Sequence, residues 1–196
     1  ARVEALIDLA ETLVQANAAI GGASDDAPMI EIAQSRAAQI AEAFADALTA
    51  GQISEQDLFD TDYAPIAGSD PQQVMTRFVR LTDRILPPIQ EPVLDLDPRI
   101  VFCAAVDRNG YLPTHNARFS HPQSHDPVWN AAHCRTRRIF DDRVGLKAGR
   151  STAPFLLQVY RRDMGGGQSV LMKDLSAPIT VGGRHWGGLR LAYRPT

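Results

Sequence analysis

Cysteine is scarce in this sequence. Only two occur in 196 residues, Cys103 and Cys134, and no CxxC or CxxCH spacing exists. That excludes a disulfide scaffold and offers no attachment point for c-type haem. Two thiols outside any framework point to a reducing compartment, with a single bridge as the alternative. Cys103, inside the apolar run RIVFCAAV, reads as a small buried hydrophobe. Long apolar runs are missing as well. No stretch approaches the roughly 18 residues of a membrane helix, and no basic–apolar–small leader opens the chain. The chain starts in helical sequence without methionine, as a segment of a longer protein would. An upstream signal or membrane span is compatible with that.

Catalytic signatures are also lacking. There is no GxSxG, and Ser151, Ser169 and Ser176 have no elbow around them. DMGGGQS is glycine-rich but lies between two predicted strands. A phosphate cradle needs a helix N-terminus behind the loop, so this is a hairpin. His115, His121, His125 and His133 fall close together with Asp126 and Cys134, but their spacings match no HExxH or finger pattern. Solvated loop histidines are the plainer reading. Haem held by one histidine, His115 or His133, has no distinctive signal. Asp141 and Asp142 are surrounded by Arg137, Arg138 and Arg143, which reads as local ion pairing. The expectation is a non-enzymatic protein without a metal, with haem as the alternative cofactor.

What is present suits one domain: 44% hydrophobic residues, 22% charged and a net charge of −3. The charge is unevenly placed. Residues 1–98 carry 17 acidic and 5 basic side chains, and residues 99–196 carry 6 and 15. The basic residues are scattered over presumed strands, so nucleic acid is not expected. Mutual neutralisation of the halves, or an anionic ligand in the basic half, accounts for them better.

The halves differ in period too. Residues 1–98 read as a helical segment. Val3, Leu6, Ala10, Leu13, Asn17 and Ile20 follow alternating steps of three and four, either a short coiled-coil seam or one helix packed on its own domain. After Gly21 and Gly22, Asp25 or Asp26 caps a second helix, with Pro28 in its first turn. Its stripe is Ala33, Ala37, Ile40, Phe44 and Leu48, and Gly51 stops it. Ser54 caps a short helix with Asp57 at its third position. DTDYAPIAGSDP reads as a loop. Asp70 is expected to cap a third long helix from Pro71, with Val74, Phe78, Leu81 and Ile85 on its face, ended by LPPIQEP.

Residues 99–196 read as a sheet. RIVFCAAVD has the unbroken apolar character of a central strand buried on both faces. DRNG is a turn, and YLPTH is the return strand, at an edge because Pro113 donates nothing. Asp126 and Pro127 open a helix in the crossover. PFLLQVYRRD, QSVLMKDLSAPITV and GGLRLAYRP are three further strands, with Pro178 marking a bulge or break. The fold class is therefore α+β: long N-terminal helices followed by an antiparallel sheet of about five strands.

One constellation is rich in groups that bind small molecules. It comprises Tyr111, His115 and Asn116 on the hairpin; Trp129, Arg137 and Arg138 in the crossover; and Tyr160, Arg162 and Asp163 on the next strand. Asp174, His185 and Trp186 come from the last strands. Arginine forks grip carboxylates and aromatic rings supply walls. The competing account is ladder ion pairs and core aromatics.

AAVDRNGYLPTHN resembles the first hairpin of Cache-type, PAS-like sensor domains. LSAPITVGGRHWGGLRLAY is similar to their closing strands. NAAHCRTRRIFDDRVGLKAGRSTAPFLLQVYRRDMGGG and LFDTDYAPIAGSDPQQ resemble the version found in bacterial methyl-accepting chemotaxis proteins. The resemblance spans roughly residues 55–196; each motif is weak, and their order is specific. It implies a PAS-like sheet and a ligand pocket between that sheet and the crossover, in one unit with the helices. It carries His115, Asn116, Arg137, Arg138, Tyr160 and Asp174 over as ligand-binding residues. It also implies signal output through flanking helices, a homodimer and a chemotaxis signalling domain elsewhere in the same chain. The expected ligand is a small anionic or zwitterionic solute; a haem-based redox or gas sensor and a ligand-free relay module are the alternatives. The thiols favour a cytoplasmic location, with a periplasmic sensor region as the alternative, and no membrane insertion of this segment.

Overall fold

Helix α1 (Ala27–Thr49) carries the stripe expected of it. Met29, Ala33, Ala37, Ile40, Phe44 and Ala47 are buried along one face, and Leu48 packs beside them. Gly51 takes φ +65° just beyond its end, which a β-carbon would oppose. The computed structural model describes residues 25–163 and 169–195, together with Leu9, Thr12, Leu13, Gln15 and Ala16. Of the expected seam, Val3, Leu6, Ala10, Asn17 and Ile20 lie outside the described residues, as does the turn at 164–168. Asp26 stands at the N-cap of α1 without capping it. Its carboxylate instead accepts Lys173 Nζ at 2.8 Å on both oxygens and Tyr193 Oη at 2.7 Å.

Ser54 caps α2 (Glu55–Leu58) through the Asp57 amide, as its spacing predicts. The expected third long helix is replaced by shorter pieces. Strands β1 (Ala64–Pro65) and β2 (Val74–Met75) form a small antiparallel ribbon that takes in the start of the apolar stripe. Helix begins only at α3 (Val79–Ile85). The Val74 amide donates to Arg137 O, so Val74 belongs to the crossover's neighbourhood and not to a helix. LPPIQEP does not end helical structure either. It forms α4 (Pro87–Gln90) and a 3-10 turn over Glu91–Asp95, because proline is well tolerated at the first positions of a new turn.

The main sheet has four antiparallel strands, not five. They are β3 (Ile100–Asp107), β6 (Leu156–Asp163), β7 (Ser169–Val181) and β8 (Arg184–Tyr193), in the order β3-β8-β7-β6. β7 runs through Pro178, and a register shift follows between Ile179 and Thr180. β3 is buried as expected but lies at an edge. The expected return strand is only β4 (Tyr111–Leu112), and it pairs with β5 (Arg138–Ile139).

Side-chain amides stand where a fifth strand would. Gln90 Oε1 accepts the Ala105 amide at 2.8 Å, and Asn116 Oδ1 accepts the Cys103 amide at 2.9 Å. At the opposite edge, Gln15 accepts the Leu157 amide and donates to Phe155 O, both at 2.8 Å. These contacts satisfy edge groups that would otherwise invite another strand.

Alternation assigns the two faces of the sheet. Cys103, Ala105, Leu157, Leu175, Leu189 and Leu191 share one core with α1. Phe102, Ala104, Val106, Met172 and Ala192 build the other face. Over that face lies α6 (Arg143–Arg150), capped by Asp142, while α5 (Pro127–His133), capped by Asp126, packs on the 3-10 turn Ala117–Phe119. A β-carbon on Gly188 would stand 2.3 Å from Ala148 O, so glycine there lets α6 approach the sheet backbone. Among the described residues, no helix is long and apolar enough to cross a membrane.

Candidate functional site

Alternation brings Gln158, Tyr160, Asp174, Ser176 and Arg190 to the crossover face of the sheet. At its centre is a buried ion pair. Arg190 is 6% exposed, and Asp174 is fully buried. Arg190 donates through Nη2 at 2.7 Å and through Nε at 3.2 and 3.3 Å to the Asp174 carboxylate. Burial opposes the guanidinium charge, but the carboxylate outweighs it and holds Arg190 above its ordinary value. Arg190 Nη1 has no protein acceptor among the described residues. Gln158 donates to Val144 O at 3.0 Å, while Gln158 Oε1 and Ser176 Oγ are buried without a partner among the described residues.

Arg190 forms part of the wall of a cavity of about 370 Å³. The sheet contributes Phe102, Tyr160, Arg161 and Arg190; the crossover contributes Arg135, Phe140, Asp142, Arg143 and Val144. Four arginines line it against Asp142, and Asp174 stands behind one of them, so the cavity is basic on balance. The arginines are also braced by rings. Arg135 lies 4.6 Å from the Phe140 ring centre, and Arg190 lies 5.6 Å from that of Phe102.

A second cavity, of about 520 Å³, opens on the other side of the crossover strand. Asp83, Pro87 and Glu91 from the helical half meet His115, His121, Thr136 and Arg137 there. Arg137 takes φ +61° and pairs with Asp83 at 2.7 Å. His115 is 3% exposed. Its ring lies 5.2 Å from Phe102 and 4.8 Å from Phe119, and its Nδ1 accepts the Asn116 amide at 2.8 Å.

The chain matches no protein-family model and no curated protein.

The six residues singled out in the sequence are therefore divided. Tyr160 lines the basic cavity, with Asp174 directly behind Arg190. His115 and Arg137 line the second cavity. Asn116 is buried in the wall, holding β3 and donating to Glu91 at 3.3 Å. Arg138 donates to Ala131 O at 3.2 Å and lies 5.1 Å from the Phe140 ring; burial pulls its guanidinium below the ordinary value.

Two aromatics of the wider constellation, Tyr111 and Trp186, are core residues. They donate to Val74 O and Leu58 O. His185 contacts Gly149 O, and Trp129 stacks on His133 at 4.6 Å. The side chains of Arg162 and Asp163 lie outside the described residues. Among the described residues, no three histidine, cysteine or acidic side chains converge as metal ligands.

Phe102, Arg135, Phe140, Arg161 and Arg190 were not singled out in the sequence, and Arg143 was read only as an ion-pairing neighbour of Asp141 and Asp142. One of them had a readable signal. Arg190 interrupts the apolar alternation of GGLRLAY and faces away from Leu189 and Leu191, on the same side as Asp174.

Proposed function

We propose that this domain is a non-enzymatic sensor that binds a small carboxylate-bearing solute in the basic cavity between sheet and crossover. The observation that carries the proposal is Arg190, buried, oriented by Asp174, and left with one unsatisfied donor edge at a cavity with three more arginines. A guanidinium preorganised in this way favours a planar anion, and Phe102, Phe140 and Tyr160 favour an apolar or aromatic body.

Output through the N-terminal helices belongs to the same proposal. Asp174 is preceded in β7 by Lys173, which faces the other way and grips Asp26 at the start of α1. A ligand preferring one position of β7 would bias that helix by its differential affinity for the two states. The chemoreceptor context, the homodimer and the signalling domain in the same chain are parts of this reading, supported by the sequence resemblance; the cytoplasmic location belongs to it too, supported by the two free thiols.

Thermal denaturation with a panel including benzoate, succinate and amino acids tests it. A true ligand at 100 times its dissociation constant adds about 2.7 kcal/mol of stability. A flat response across mono- and dicarboxylates would sink the proposal.

A further inference from the structure

The second cavity differs from the first in charge, in origin and in what its open groups accept. It is larger, about 520 Å³, and is built where the helical half meets the crossover loops. Arg137 and Asp83 neutralise one another at 2.7 Å, which leaves Glu91 as the uncompensated charge. Glu91 is held in place through one oxygen only. Its Oε1 accepts the Ala117 amide at 2.7 Å and Asn116 Nδ2 at 3.3 Å, while Oε2 has no partner among the described residues. Gln73 is fixed similarly: its Nε2 donates to Thr136 O at 2.9 Å, and its Oε1 has no partner among the described residues. Two anchored side chains thus carry open acceptor oxygens, and the histidine and proline rings supply part of the wall beside them.

From this we propose a second ligand site in this cavity, for a small organic cation carrying a primary ammonium group. The ammonium donates to Glu91 Oε2 and Gln73 Oε1, and its alkyl body lies against Pro87, Pro122 and the His115 ring. The cavity is partly open, so charge attraction is screened and the affinity is weak, on the order of 1 mM. The site shares a partition with the basic cavity. Arg135 faces the basic cavity and the next residues, Thr136 and Arg137, face this one; Phe102 and His115 touch across the same wall. This inference does not depend on the anion reading, and either can fail alone.

The test is an NMR titration with n-butylammonium at constant ionic strength, read at the Asn116 and Ala117 amides. Butanol and butyrate serve as controls of the same length. Saturable shifts with the ammonium and none with butanol are expected. Glu91→Gln keeps an acceptor for the Ala117 amide but removes the charge, and should weaken binding about tenfold. Ala117→Leu fills the cavity without touching a charge, and should abolish binding. Absent or unsaturable shifts, equal shifts with butanol, or unchanged affinity in both variants would overturn the proposal.

Discussion

The two cavities lie on either side of one short segment, and their construction differs. The basic cavity rests on regular strands, where period-two alternation aims Tyr160, Asp174 and Arg190 at one another. The acidic cavity rests on turns, a 3-10 element and a left-handed residue, where side-chain hydrogen bonds do the positioning. A sheet can hold a buried ion pair because its backbone needs nothing from those side chains. The loop cavity spends more of its polar groups on backbone: Asn116 in its wall and Thr136 in its lining are both bonded to backbone groups.

The sharpest way to break this contrast is at the ion pair. Arg190→Met leaves Asp174 buried without its partner, which should cost about 3–5 kcal/mol in denaturant unfolding. Adding Asp174→Leu should recover most of that loss, because a matched apolar pair dispenses with both desolvation penalties. A single variant as stable as the wild type would mean that the pair is not a structural unit.

Next is the partition. Asn116→Ala strips the acceptor from the Cys103 amide at the β3 edge, for about 1–3 kcal/mol. Faster hydrogen exchange at Cys103 than at the β7 amides should accompany it.

The loop cavity predicts a smaller effect. Arg137→Gly loses a half-exposed ion pair worth at most about 1 kcal/mol. It also relieves a left-handed backbone costing roughly 1–2 kcal/mol. The two nearly cancel, and a melting curve close to wild type is expected.

Least of all should change at Cys103, on the face away from both cavities. Burial pushes its thiol up to about 12. A pKa raised in the folded state stabilises below the ordinary thiol range and loses that contribution as pH climbs toward the raised value. At pH 8 the folded protein should therefore leave Cys103 unlabelled by a thiol reagent, while the unfolded chain reacts.

These elements also separate what can be read in the sequence from what cannot. The stripe of α1, the Ser54 and Asp126 caps and the three last strands follow from local chemistry, and all are present. The long helix from Pro71 fails because Val74 and Met75 are claimed by a ribbon partner ten residues earlier, a pairing that helical spacing cannot register. The fifth strand fails because amides from Gln90 and Asn116 take the β3 edge. Helix α6 was invisible because VGLKAG looks like loop, whereas Gly145 and Gly149 are there for close approach. Within the site, Tyr160 and Asp174 share a face by alternation. Which cavity His115 and Arg137 line depends on how the crossover folds back, and no local period encodes that.

The central claim is that the basic cavity holds an anion through Arg190. Calorimetric titration of the best carboxylate into wild type and into the Arg190→Met, Asp174→Leu double variant tests it most directly, because the matched apolar pair is expected to keep the fold. The account predicts saturable binding to the wild type and none to the double variant. Equal binding by both proteins would contradict it.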